Sequence, residues 1–472
     1  GLAPGGSVTE DESKYELVVV GSGPAGEKAA VQAAYLGHRT CVIDKGAAGG
    51  AWVNTGTIPS KTLRESALYL AGGRHRGLYA PFSRDLTIRN LMALERRLVA
   101  RWREKVEQSF RKHDVTRLCG RAHFVDAHTL ELDDGTRAHG KHILIATGSR
   151  PRRLDAAPVD GVHVHDSDSV LSLDQIPDTL VVLGGGVIGC EYASMFQALG
   201  VQVTLLDTRD HLLGWLDPDA SKSLEEIFTQ GGMVVRHGVH AERVETTPSG
   251  VSVFLDDGTL TQGDVLLVAA GRVPNVEDLN LDVTGVKVTR WGTIPTNEYM
   301  QSEVPHIYAA GDVVGFPSLA SVSMEQGRVA SAHMFGENRG PLGSLFPYGV
   351  YTIPEVSCVG LTPDAAREKG YDPVCGTAGY NHSVRAAMLG AEQGMVKLVC
   401  ERSTGQLLGA TIVGAQATEL VHFAAAVIQY GGTIHDLVRF VFNLPSLSVL
   451  FKQASYDILH HIRTGEHNEM VE

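Results

Sequence analysis

The chain lacks long apolar runs, has few basic residues, and carries no closely spaced cysteines. Over 472 residues no apolar stretch approaches the roughly 20 residues a membrane-spanning helix needs. Lys and Arg number 41 against 54 Asp and Glu, a formal net charge of −13. That balance argues against a nucleic-acid or anionic-membrane partner, because both are held by clustered cations. The six cysteines, Cys41, Cys119, Cys190, Cys358, Cys375 and Cys400, include no C-x-x-C and no other close pair. Neither zinc nor a local redox dithiol is indicated, and a reducing cytoplasm is the simplest compartment. His163/His165 and His460/His461 have no carboxylate or cysteine at ligand spacing, so both pairs read as structural and no metal site is expected. What remains is an ordinary globular composition, 43% apolar and 20% charged, long enough for about two to four domains. The opening "GLAPGGSVTEDESK" is rich in Gly, Ser and acid, and residues 1–14 are expected to form a disordered leader.

The segment "YELVVVGSGPAGEKAA" is an apolar strand running into Gly21, Gly23 and Gly26, with Pro24 and Ala25 opening a helix. "RTCVIDK" follows as a second strand ending in Asp44, with Lys45 beyond it. Strand, glycine turn, helix, strand and acid are the parts of a dinucleotide-binding unit. The glycines let backbone N–H groups approach a pyrophosphate at the helix N-terminus, and the carboxylate can take both hydroxyls of a ribose. The unit recurs at "LVVLGGGVIGCEYAS", with Gly184, Gly186, Val187, Ile188 and Gly189. There "VQVTLLD" ends in Asp207, followed by Thr208 and Arg209. Gly184 lies 163 residues after Gly21, and Asp207 lies 163 after Asp44. One glycine fingerprint is weak, but two complete copies with matched spacing are specific. Further strands end in small-residue turns at Ala146-Thr147-Gly148 and at Gly271. Gly311-Asp312 precedes a helix starting near Ser318, with Leu319, Ala320 and Ser321 at its N-terminus. A carboxylate there can bind the polyol of a flavin, and the helix end can face its pyrimidine edge.

With these pieces the chain resembles the two-dinucleotide-binding flavoproteins, the pyridine nucleotide-disulfide oxidoreductase family, over about residues 14–465. The resemblance implies an α/β fold: two Rossmann-like domains binding FAD and NAD(P), and a C-terminal α+β dimerisation domain. Boundaries follow as 15–154 and 278–345 for FAD, 155–277 for NAD(P), and 346–472 for the interface. Within the family, "GSGPAGEKAA", "GTIPSKTLRE", "DTRDHLLGWLD", "GFPSLASVSMEQGR", "GVYTIPEVS" and "FNLPSL" are similar to the soluble, Si-specific pyridine nucleotide transhydrogenases.

The stretch "GGAWVNTGTIPSK" then becomes the point of interest. Gly50, Ala51, Trp52 and Thr57 line the flavin loop by resemblance, and disulfide reductases carry cysteines where this chain has Trp52 and Thr57. Transhydrogenases share the threonine and usually keep the first cysteine. An indole cannot exchange thiols, since that chemistry needs a thiolate. The His-Pro pair and downstream Glu of disulfide reductases are replaced by Leu444 before Pro445 and by Val449. Thiol and proton donor are thus absent together. Trp52 is open to two readings, packing on the flavin face normally served by a disulfide or filling core in an irregular loop. Cys190 reads as a small buried residue of the NAD(P) helix rather than a replacement thiol.

The hydride machinery is retained. By resemblance Lys61 sits at the flavin N5 edge and pairs with Glu191, where an ammonium stabilises negative charge on reduced flavin. Val187 falls where the family places a gate over the nicotinamide. Asp207 favours a free ribose 2′-OH and repels a 2′-phosphate, while Arg209 can partly offset that repulsion. NAD(H) is the expected nicotinamide, with NADP(H) as second candidate. The C-terminal third alternates as antiparallel strands and contains two amphipathic helices, by resemblance a homodimer interface, although an extra monomeric lobe satisfies the same pattern. The expected activity is FAD-dependent NAD(P)H oxidation with a second small acceptor, transhydrogenase-like if that acceptor is NAD(P)+. A quinone or O2 reductase and a slowly turning-over FAD/NAD-binding redox partner remain alternatives.

Overall fold

Near-continuous runs such as "LVVV", "CVI" and "ILI" suit parallel strands covered on both faces, and the computed structural model, which describes residues 14–75 and 87–465, places them there. The expected leader lies outside the described residues apart from Lys14. The chain forms two compact units. The first comprises described residues up to Pro59 with Ala93–Arg152 and Arg272–Gly343. Its sheet runs Thr116–Cys119, Thr40–Asp44, Lys14–Val20, Arg137–Ile145, Thr129–Leu132, Ala122–Asp126, with Ile307–Ala309 parallel to Arg137–Ile145. The helix Pro24–Tyr35 turns an alanine face, Ala25, Ala29, Ala30 and Ala33, into a core shared with Leu144, Ala330 and Met334. Those small residues allow close approach by the helix Ala320–Met334: a Cβ on Gly327 would stand 2.1 Å from the Ala25 carbonyl oxygen.

The second unit comprises the described parts of Ser60–Met92, Arg153–Gly271 and Ser344–Glu472. It holds a parallel sheet in the order Val234–Arg236, Gln202–Leu206, Thr179–Leu183, Val265–Val268, Val164–His165. An antiparallel meander follows at Ala241–Thr247, Gly250–Leu255 and Leu260–Gly263. A five-stranded sheet orders Tyr348–Val350, Glu355–Gly360, Leu407–Gly414, Met395–Glu401 and Pro373–Gly379. The amphipathic helices Ala417–Gln429 and Val449–Thr464 bury Val421, Ala424, Leu450, Phe451 and Ile458 in the core of that sheet. The α/β fold class, with two doubly wound sheets and a C-terminal α+β part, is the expected one.

Three details differ from the sequence expectation. The helix over the Ser318 region begins at Ala320. The strand before Asp207 ends at Leu206, leaving the acid just past its tip. The segment 60–92, placed with the FAD part by sequence, packs in the second unit instead, because Leu63, Ala67, Ile88 and Leu91 share a core with Val182, Phe196 and Leu205. Among the described residues no helix is long and apolar enough to cross a membrane.

Candidate functional site

In the first unit the glycine turn is forced by backbone crowding. Gly21 has φ 106° and lies so close to the strand end at Ala146 that a Cβ would meet the Ala146 oxygen at 2.3 Å. A Cβ on Gly26 would meet the Gly21 oxygen at 1.9 Å. The helix that follows has Gly23 at its N-cap and no side chain capping it, so its first N–H groups are left for an anion. Asp44 closes the turn: one oxygen accepts Ser22 N–H at 2.7 Å and the Ser22 hydroxyl, the other accepts Gly46 N–H at 2.9 Å. Lys45 is exposed beside it.

The loop with Gly50, Ala51 and Trp52 docks on this turn. Gly49 N–H donates to Ser22 Oγ at 3.1 Å, and a Cβ on Gly50 would stand 2.7 Å from Gly23 Cα. Asn54 ties the loop to itself through the Ala47, Ala48 and Gly50 carbonyls, and Arg103 donates to Asn54 Oδ1. Trp52 is half-buried and meets Trp102 edge-on, with centroids 5.4 Å apart at 75°. Lys105 Nζ lies 4.1 Å from the Trp102 centroid.

Across the same sheet, Ser149, next to Gly148, donates its hydroxyl to Asp312 Oδ2 at 2.6 Å, and Arg272 Nε donates to Ser149 Oγ at 2.8 Å. Thr147 is fixed by its own hydroxyl on the Asn275 carbonyl at 2.7 Å. Gly311 N–H is taken by the buried Gln326 at 2.8 Å. The helix with Leu319 at its N-cap, continuing through Ala320 and Ser321, also has no side-chain cap. Two uncapped helix ends, a glycine cradle and two carboxylates on one sheet fit a flavin adenine dinucleotide. The sequence expectation did not include Ser149 and Arg272, although each directly follows a turn glycine that it did name, Gly148 and Gly271.

The second unit repeats the cradle. Gly184 has φ 110° and lies against the Ala269 oxygen, and a Cβ on Gly189 would meet the Gly184 oxygen at 1.8 Å. The helix Val187–Ala198 starts at Gly186 with no side-chain cap, with Val187 and Ile188 in its first turn. Asp207 lies over the turn, its Oδ2 2.4 Å from where a Gly185 Cβ would stand. The carboxylate is 3% exposed, and Oδ2 accepts no hydrogen bond although Arg209 Nη2 is 3.1 Å away. A buried carboxylate oxygen that accepts no hydrogen bond and meets Arg209 only as an ion pair, beside an uncapped helix end, fits the diol of a nucleotide ribose. Thr208 and Gly271 are exposed, Gly271 at φ 97°.

Lys61 and Glu191 meet in this unit. Lys61 Nζ donates to Glu191 Oε2 at 2.6 Å, with side chains 26% and 4% exposed. Glu191 Oε1 accepts the backbone N–H of Tyr351 at 2.9 Å, and the Tyr351 ring centroid is 5.0 Å from Lys61 Nζ. Burial, and then the Glu355 charge, push the Tyr351 phenol up. Beside this group Arg64 Nη2 pairs with Glu355 Oε1 at 2.9 Å, both buried. Tyr351, Arg64 and Glu355 were not singled out from sequence; the only signal was that "TLRE" and "GVYTIPEVS" belong to the family-like stretches.

All six cysteines are free thiols. Cys190 is fully buried and donates to the Gly185 carbonyl at 3.4 Å, with its thiol pushed up by burial. Cys41, Cys358 and Cys400 are each pushed up to about 12, burial being the main cause. Leu444 is 71% exposed, and Val449 opens the helix Val449–Thr464.

The sequence matches the pyridine nucleotide-disulphide oxidoreductase family over residues 15–327 and the corresponding dimerisation domain over residues 346–455. A soluble pyridine nucleotide transhydrogenase of Mycobacterium tuberculosis (strain ATCC 25177 / H37Ra) is 39% identical over 459 residues, covering 95% of this chain and 98% of its own. One from Colwellia psychrerythraea is 36% identical over 464 residues, covering 96% and 100%. The crystal structure of LpdA from Mycobacterium tuberculosis superposes with a TM-score of 0.86 at 30% identity, over 94% of this chain and 99% of that one. RclA, an HOCl-induced flavoprotein disulfide reductase from Escherichia coli, gives 0.85 at 27% identity over the same shares.

Proposed function

The chain belongs to the pyridine nucleotide-disulphide oxidoreductase family and is an FAD-dependent pyridine nucleotide oxidoreductase; from that premise we propose that it moves hydride between two nicotinamide nucleotides without a redox disulfide. The observation that carries this reading is the intact Lys61–Glu191 pair in a chain whose flavin loop holds Trp52 and Thr57 instead of thiols. In this reading residues 15–59, 93–154 and 278–345 form the FAD part, 155–277 the nicotinamide nucleotide part, and the described residues from 346 on the homodimer contact.

A flavin bound in the first cradle would supply the chemistry of hydride exchange between two nicotinamide nucleotides. The protein supplies position and charge. Asp44 would hold the adenosine ribose of the FAD and Asp312 the polyol. The uncapped ends of the helices Pro24–Tyr35 and Ala320–Met334 would be available to the pyrophosphate and the pyrimidine edge. Asp207 would take the 2′- and 3′-hydroxyls of the nicotinamide nucleotide's adenosine ribose, which favours NADH over NADPH, with Arg209, its ion-pair partner, a cation at hand for a 2′-phosphate. Lys61 follows Thr57 by one helical turn on Thr57–His75, and its ammonium stabilises the charge that develops where hydride arrives. Glu191, buried and hydrogen-bonded on both oxygens, keeps that ammonium from swinging into water. With no thiol beside the flavin, both nucleotides use one site in turn.

The test is anaerobic stopped-flow. The FAD-loaded protein is mixed with NADH or NADPH, and thio-NAD+ is then added to the reduced form. Fast bleaching and reoxidation by thio-NAD+ are expected. Fast bleaching without reoxidation would replace the acceptor by a quinone or O2, and no bleaching by either donor would move the reading to a binding protein.

A further inference from the structure

We propose that Tyr351 is a positioning residue for the Lys61 ammonium, holding it between an aromatic face and a carboxylate that the same residue orients. The proposal rests on the reading of Lys61 given above and adds what fixes it. Lysine has four rotatable bonds and a strongly hydrated head, so a single ion pair leaves Nζ a wide arc, and this side chain is 26% exposed. Tyr351 narrows the arc twice. Its ring face lies 5.0 Å from Nζ, within cation–π range. Its N–H, at 2.9 Å, occupies the Glu191 oxygen that Lys61 does not use, so rotating the carboxylate would break a hydrogen bond.

Tyr351 is itself held. The next residue, Thr352, is buried, and its carbonyl accepts from Arg64 Nη2 at 3.4 Å. Ile353 N–H donates to Ser194 Oγ at 3.0 Å, one turn beyond Glu191 on the helix Val187–Ala198. Arg64 is fixed by Glu355, whose second oxygen accepts Thr418 N–H at 2.9 Å and the Thr418 hydroxyl at 2.7 Å. Residues 351–353 therefore pin the helix of Lys61 to the helix of Glu191. The ring on Lys61 is the part of this arrangement that a packing role alone does not require.

The experiment replaces Tyr351 by Leu, by Phe, and by fluorinated phenylalanines that keep the shape while weakening the ring's negative face. Flavin bleaching by NADH is measured in the FAD-loaded enzyme. Tyr351→Leu should bleach about tenfold slower, the size expected of a partly desolvated cation–π contact, with NADH affinity and FAD content unchanged. Tyr351→Phe should restore the rate, and added fluorines should lower it stepwise. In a Lys61→Ala background Tyr351→Leu should add nothing. As a readout independent of turnover, Lys61 is carbon-13 methylated and its signal assigned by loss in Lys61→Arg. That signal should lose its upfield ring shift in Tyr351→Leu and keep it in Tyr351→Phe. Fluorinated variants running at the Phe rate, or Tyr351→Leu slowing Lys61→Ala as much as it slows wild type, would overturn the proposal. If Lys61→Ala itself bleaches at the wild-type rate, the reading of Lys61 fails first; if it is slow and Tyr351→Leu is fast, only this proposal fails.

Discussion

Replacing Asp207 by asparagine should raise the use of NADPH relative to NADH, and the geometry around Asp207 sets the size of the shift. The side chain keeps its shape, so no cavity opens. The carboxylate is 3% exposed and ion-paired with Arg209, which also donates to Oδ1 from Nε at 3.3 Å and from its backbone N–H at 3.4 Å. The Arg209 side chain is 44% exposed, so neutralisation weakens a solvent-screened pair and Tm should fall only slightly. The bound state does lose. A charged acceptor facing a ribose hydroxyl contributes about 1.5–3 kcal/mol, so NADH should bind about 10- to 150-fold more weakly. NADPH gains by relief of repulsion. Arg209 Nη2, 3.1 Å from Oδ2, already offsets part of that charge, so the water-like figure of about 1 kcal/mol at 4 Å is the appropriate one. Together these shift the NADPH/NADH ratio of kcat/KM by about two orders of magnitude. The assay is flavin bleaching with each donor, with calorimetric titration of NAD+ and NADP+ as a check that does not depend on turnover. A ratio unchanged within about threefold would show that Asp207 does not face the ribose.

Lys61→Ala should slow flavin bleaching about 100-fold, the usual cost of removing one preorganised electrostatic group, while absorbance shows full FAD content; equal rates would remove Lys61 from the mechanism. Lys397→Met leaves Asp217, 1% exposed and 2.8 Å from Nζ, as a buried unpaired charge, and should lower unfolding free energy by about 3–5 kcal/mol in a denaturant melt. His142 is held below its usual value by burial first, then by Lys141, His306 and His128, with Glu16 opposing. It binds fewer protons folded than unfolded, so its contribution to stability is present above about pH 6.5 and is lost as pH falls below that value. His142→Gln should flatten the Tm-versus-pH curve in that acid window, and an unchanged slope would refute the assignment.

Much of this protein was readable in the chain because its requirements are local. Gly21, Gly26, Gly184 and Gly189 stand where a short strand-to-helix turn leaves no room for a Cβ, so spacing alone exposed both nucleotide cradles. Asp44 and Asp207 follow from strand length, and the interface helices from a 3.6-residue apolar period. The family likeness supplied the pairing of Lys61 with Glu191, which no local pattern carries. Tertiary packing decided the rest. Trp52 meets Trp102, Asp312 meets Ser149 and through it Arg272, and Tyr351 reaches Glu191 across 160 residues of chain. It also drew Ser60–Met92 into the second unit, because Leu63, Ala67 and Ile88 find their core there. Turn geometry and periodicity act over a few residues and are written in sequence order. Which distant side chains come within 3 Å depends on how whole elements pack, and that is settled only when every apolar face has found its cover.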